Sequence, residues 1–261
     1  MGDLGPVGVY LVLIAVLAGV VLLAIGCVLL ATRLIARDLS PEHNSVLSPF
    51  LTVVGLIYGA MLGFTVVVGW QQFLTARTNV TNEASALITL YHHTAAMPQP
   101  EQSQLREELR KYALAVQGPE WDRQQTGAVS TEARGEVTQM YRIVADPRWN
   151  SAANPVNNQA LDELTNLVSD RAERILDAET RVPLLLWGAL IFGGMMLIVL
   201  ASFMRLANLR SHMILVSSIA VLLGLMLFLI YALDHPLGRV GVSPKPFRHA
   251  LVVFDTVDAE K

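Results

Sequence analysis

The stretch Phe50-Leu51-Thr52-Val53-Val54-Gly55-Leu56-Ile57-Tyr58-Gly59-Ala60-Met61-Leu62-Gly63-Phe64-Thr65-Val66-Val67-Val68-Gly69-Trp70 carries no charged side chain. A helix needs roughly 20 such residues, each rising about 1.5 Å, to cross the hydrocarbon core of a bilayer. No Gly or Pro follows Gly69 until Pro98, and Val80, Ala84, Leu87, Ile88 and Tyr91 recur on one helical face. The run from Pro49 to Tyr91 therefore reads as one long helix that spans the membrane and continues beyond it as an amphipathic helix.

Two rows stand side by side on the spanning part. Gly55, Gly59 and Gly63 repeat every fourth residue, leaving a ridge of bare backbone on which another helix can pack closely. Packing within one subunit is the reading favoured for that ridge over a subunit interface. The neighbouring row, Leu56, Ala60 and Phe64, is apolar at the same spacing. It suits the lining of a narrow dewetted constriction, or a face turned to lipid or protein.

Composition agrees with a membrane protein. The 261 residues are 53% hydrophobic and only 16% charged, against about 25% in soluble domains. A net charge of −3 offers nothing to a nucleic acid. The single cysteine, Cys27, excludes a disulfide or a Cys-based metal site within one chain.

Outward from the central stretch, four uncharged spans are expected at residues 7–32, 50–74, 182–204 and 213–233, with a polar tail at 234–261. The first span follows no basic segment and exceeds the length of a signal-peptide core, so it reads as retained. Residues 75–181 form the one large polar region. It holds four one-sided helices: the end of the long helix; 101–117 with Leu105, Leu109, Tyr112, Ala113 and Val116; one starting near Ser130 or Thr131; and one with Pro155 at its first position after Asn154. Leu161, Leu164, Val168, Ile175 and Leu176 mark the face of the last, which is expected to run unbroken towards the third span. Such stripes bury most simply against each other. The fold class is thus an all-α integral membrane protein, four transmembrane helices with an extramembrane helical bundle between spans 2 and 3. Arg33, Arg37, Arg205 and Arg210 in the short turns point to an external bundle, whereas Arg77, Arg171, Arg174, Arg181, Arg239, Lys245 and Arg248 weigh for the opposite side.

No span contains an ionisable group of the kind that drives proton- or ion-coupled pumps. Phosphate-binding glycine loops, HExxH and GxSxG are absent, and no paired nucleophile and base suggests an enzyme. His92 and His93 point about 100° apart on a helix, so they do not make a metal site, and no cofactor is expected. Glu120 and Trp121 follow Gly118-Pro119 in an expected polar loop. Trp121 anchors that loop to the bundle in one reading; in the other the pair contacts a ligand or partner. Arg171 and Arg174 pair with bundle carboxylates such as Asp170 or face lipid headgroups; alternatively, with Arg181, they form an electropositive ring at a pore mouth. Asp234 sits in a turn with Pro236 and Gly238, or forms a cation site at a pore entrance.

The order His43-Asn44, Glu83-Ala84, Tyr112, Glu120-Trp121, Arg171-x-x-Arg174, Pro183 with Leu186-Trp187, and Asp234-His235-Pro236-Leu237-Gly238 resembles the bestrophin-like family of bacterial membrane proteins over nearly the whole chain. Leu62-Gly63-Phe64 with Trp70-Gln71-Gln72-Phe73 is similar to the second span of bestrophins. The resemblance implies a multi-pass protein of the bacterial plasma (inner) membrane. It also implies a homo-oligomer, pentameric as in the bestrophin anion channels, that passes inorganic ions along span 2, with the bundle in the cytoplasm. Leu56, Ala60 and Phe64 would then line the constriction, Ala60 departing from the bulky residue expected there. The other function class is a non-conducting membrane sensor or envelope scaffold whose bundle binds a ligand or partner protein.

Overall fold

A computed structural model describes residues 6–34, 43–125, 133–146, 155–204, 206–238 and 241–259. The described residues are helical apart from turns and short connections. The helices are α1 (Pro6–Leu34), α2 (His43–His93), α3 (Glu101–Ala115), α4 (Trp121–Gln125), α5 (Arg134–Val144), α6 (Pro155–Glu179), α7 (Leu184–Ser202), α8 (Leu209–Leu233) and α9 (Lys245–Ala259). Four are long and apolar enough to cross a membrane: α1, α2, α7 and α8. The expected start near Ser130 or Thr131 and the Asn154 cap lie outside the described residues.

The chain divides into two compact units, residues 1–71 with 181–234 and residues 72–180 with 235–261. In the first, α1, α7 and α8 pack on one another. The early part of α2 joins them through Tyr58 and Leu62, both buried in a core with Leu190, Ile198, Val216 and Ala220. Tyr58 enters a notch made by two consecutive glycines of α7. Its hydroxyl donates to the Leu190 carbonyl at 2.7 Å. A Cβ on Gly193 would lie 2.6 Å from the Tyr58 ring, and one on Gly194 2.9 Å from its hydroxyl. Without water in the bilayer, a phenol needs such a partner, and only glycine leaves room for the ring. Gly193→Val should therefore cost about 1–3 kcal/mol by overpacking and lower the thermal midpoint in detergent. Gly188→Val, where nothing lies within 4 Å of an added Cβ, should leave the midpoint unchanged.

The second unit is the extramembrane bundle. Its core gathers Leu87 and Leu90 of α2, Leu105, Leu109 and Tyr112 of α3, Met140 and Val144 of α5, Leu164 and Leu167 of α6, and Phe247 and Phe254 of α9. Leu167, rather than the expected Val168, takes the innermost place on α6, and Val168 is half-buried. The polar tail also contains a helix. In α9, Phe247, Ala250 and Phe254 are fully buried, spaced three and four apart as one helical face requires. Phe254 stacks on Tyr91 with ring centroids 4.0 Å apart. Asp258 accepts from the Tyr91 hydroxyl at 2.6 Å and pairs with Arg106.

Two expected helix boundaries differ. Gly118 and Pro119 do not stop α3; Val116–Glu120 forms a π-helical turn that leads directly into α4. A widened turn relieves the clash of the proline ring with the preceding carbonyls. Nor does α6 run into α7. It ends at Glu179, and Pro183 caps α7 with extended backbone, φ −55° and ψ 140°. Proline disfavours a helical residue before it, and the Val182 N–H is bound instead by Asp234.

Candidate functional site: the outward face of α2 and a buried charge network

The early part of α2 has two sharply different sides. Tyr58, Leu62, Thr65 and Gly69 face inward and are buried, each one helical turn or so from the last. Leu56 and Phe64 are each 73% exposed, and Ala60 between them is exposed as well. The candidate constriction row thus points away from its own unit. Gly59 and Gly63 of the glycine ridge point away too. Nothing lies within 4 Å of a Cβ added at Gly59 or Gly63, and Gly55 meets only Leu197 at 4.0 Å. The expected packing within the subunit is corrected for Gly59 and Gly63: Gly193 and Gly194 provide the close approach instead. Further along the same helix, within the bundle unit, the exposed positions include Thr78, Asn82, Ser85 and Thr89. They carry hydroxyls or an amide but no charge.

Inside the bundle, side chains from four helical segments form a closed ionic cluster. Arg174 of α6 grips Glu83 of α2 through Nε at 2.5 Å and Nη2 at 3.1 Å. The same Nη2 donates to Glu120 at 2.7 Å, and Nη1 donates to Gln124. Arg171 holds Glu120 with two parallel bonds of 2.8 and 3.0 Å. Tyr112 donates to Glu83 at 2.6 Å and accepts from Arg171 at 3.4 Å. Glu83, Glu120, Tyr112 and Arg174 are all 0% exposed. Two guanidinium groups therefore meet two carboxylates in a buried site where the formal charges cancel.

The titration of the cluster follows from that arrangement. Burial pulls Arg174 down, but Glu83, with Tyr112 and Glu120, outweighs it, so its affinity for the proton is raised. Burial pushes Glu120 up, yet bonds from Arg171 and the charge of Arg174 bring it below the usual carboxylate range. Burial, then the neighbouring Glu83 carboxylate, drives the Tyr112 phenol well up.

These positions revise the expected pore-mouth charges. Arg171 and Arg174 are buried and paired, with Glu120 and Glu83 rather than Asp170, so they cannot face solvent or headgroups. Glu120 and Trp121 belong to the helical run from α3 into α4, not a polar loop, and both are buried. Trp121 packs against Phe247 of α9. Asp234 is 6% exposed. Its carboxylate accepts from the Val182 N–H at 2.6 Å and the Trp187 indole at 3.4 Å, and Arg181 donates to its carbonyl at 3.1 Å. Asp234 thus ties the start of α7 to the end of α8, which displaces the reading of an open cation site.

The network has a signal in the sequence. Glu83 lies three residues after Val80 and four before Leu87. Arg171 and Arg174 continue the Leu164 and Leu167 row at steps of four and three. Charges at core positions of several stripes must neutralise one another, because an unpaired charge is not tolerated there.

Four apolar spanning helices with a helical bundle built on the second define a multi-pass integral membrane protein of the bestrophin architecture. The chain belongs to the Bestrophin-like domain family, whose sequence model matches residues 18–247. No curated protein matches it in sequence. A point variant of a bacterial bestrophin homolog from Klebsiella pneumoniae superposes with a TM-score of 0.71 at 13% identity, covering 92% of this chain and 98% of that one. A second variant of that homolog gives 0.70 at 13% identity, over 92% and 96%. A crystal structure described as that of a membrane protein variant gives 0.71 at 13% identity, over 91% and 98%. Likeness at that identity speaks for the fold and not for the activity.

Proposed function

We propose that this chain forms a homo-oligomeric ion channel of the bacterial plasma membrane, with α2 of each copy lining a central pore. The observation that carries the reading is the outward, uncharged row Leu56, Ala60 and Phe64, set on the side of α2 opposite Tyr58 and Leu62. In a ring, the bare backbone at Gly59 and Gly63 lets neighbouring copies approach closely, and the adjacent row turns to the axis. A hydrophobic ring of this kind gates by dewetting. In the bundle unit, the exposed hydroxyls and amide of Thr78, Asn82, Ser85 and Thr89 are uncharged dipoles of the kind that solvate an ion without trapping it. The number of copies, five by family likeness, and a preference for anions belong to this proposal. The paired Arg171 and Arg174 contribute no net charge to either.

The test is ion flux from liposomes holding the purified protein. Phe64→Ala should widen the constriction and raise flux, and reversal potentials in unequal chloride should give the sign of the permeant ion. Protein that carries no flux, with Phe64→Ala equally silent, would put the sensor or scaffold reading ahead. Four spans also place Ser103 and Ser211 on opposite membrane faces. Single cysteines there, in a Cys27→Ala background, should react with an impermeant reagent from opposite sides. Labelling of both from one side would remove the proposed topology of residues 7–32, 50–74, 182–204 and 213–233 as spans.

A further inference from the structure

In the spanning unit, α1 and α8 touch closely near Gly224, where an added Cβ would lie 3.0 Å from Val20. Towards the beginning of α8 an open groove of about 620 Å³ lies between Ile25 of α1 and Met213, Ile214, Ser217 and Val221 of α8. Small side chains help make the room: Ser217 and Ser218 are among the lining residues. The walls are apolar for most of their area, and Arg210 closes one end. We propose that this groove holds one phospholipid, its acyl chain along α8 and its phosphate on Arg210.

Three features agree on that occupant. From Arg210 to Val221 the helix rises about 16 Å at 1.5 Å per residue, close to one leaflet of a hydrocarbon core about 30 Å thick. The charged end is the end that meets the headgroups, because Arg210 lies in the first turn of α8 while Val221 lies mid-span. The positive end of the α8 dipole is there too, and helix N-termini favour phosphate. The Arg210 guanidinium is exposed, and no carboxylate among the described residues pairs with it. A bare apolar face would take any neighbour; an arginine at one end of a leaflet-long groove selects a chain with an anionic head. This site is independent of whether α2 conducts.

Native mass spectrometry of the full chain released from detergent tests the proposal, with added phosphatidylglycerol and, as the uncharged counterpart, diacylglycerol. Wild type should retain a tightly held phosphatidylglycerol. Arg210→Gln should weaken that adduct about fivefold, as expected for one arginine near an anionic headgroup, and leave diacylglycerol binding unchanged. Ser217→Phe should fill the groove and remove the tight adduct of both lipids. Should its thermal midpoint fall below wild type, Val221→Phe serves in its place. Identical adducts in wild type and the groove-filled variant would overturn the site. So would displacement of the lipid by millimolar glycerol 3-phosphate, which would show a free-phosphate site. A photoreactive residue at position 217 that cross-links a second copy instead of lipid would overturn it in favour of an interface.

Discussion

Arg174→Met should destabilise the bundle by about 3–5 kcal/mol, because it leaves Glu83 and Glu120 buried with too little positive charge. That is a large part of the roughly 5–15 kcal/mol by which a domain is stable at all, so a collapse of the cooperative melt is expected. The double variant Arg174→Met with Glu83→Gln should recover part of the loss, since it removes a charge from each side of the pair. Near-ultraviolet circular dichroism of the detergent-solubilised chain reads both. Equal melts for wild type and Arg174→Met would mean that water reaches the cluster. The acid response has a definite sign. Glu120 is held below its ordinary range in the folded state, so its contribution is complete above that range and lost as the pH falls through the depressed value. Tyr112 acts at the other extreme. Its phenol is raised, so its contribution is complete below the ordinary phenol range and fades as the pH climbs through the raised value.

On α2, Ala60→Phe and Gly59→Leu should both abolish flux, for different reasons. Ala60 is the small member of the outward row, and a ring of phenylalanines there should close a dewetted neck while the oligomer stays intact. Gly59 has open space around it within its own protomer. A leucine at this position should cost the protomer nothing, but should hold neighbouring backbones apart in the proposed oligomer. Size-exclusion chromatography with light scattering separates the two: Ala60→Phe should elute as wild type, Gly59→Leu as smaller species. Full flux from Ala60→Phe would remove this row from the pore.

What could be read from the chain alone follows the strength of each periodic signal. Uncharged runs as long as those in α1 and α8 have one physical outcome, so the four spans and the long second helix were visible without a structure. The bundle stripes were visible for the same reason, apart from the shift from Val168 to Leu167 and from Leu176, which the structure leaves exposed rather than on the packed face. Features that depend on a partner distant in sequence were not. The Tyr58 notch requires knowing that Gly193 and Gly194 face it, and Glu120 reads as an exposed loop acid until Arg171 and Arg174 are brought to it. The helix α9 is masked in the sequence by the polar character of the tail and by Pro244 and Pro246 at its start, although Phe247, Ala250 and Phe254 keep a helical spacing.

The position of α9 bears on how the protein is made. Its core residues Phe247 and Phe254 are translated after α7 and α8, yet they pack into a unit whose other helices precede both spans. During synthesis at about 5–20 residues per second, α3, α5 and α6 leave the ribosome several seconds before α9 exists to cover Tyr91 and Trp121. Two hydrophobic segments must enter the bilayer in that interval. The nascent bundle thus exposes an aromatic seam throughout membrane insertion, and closes it only once the last span is in place.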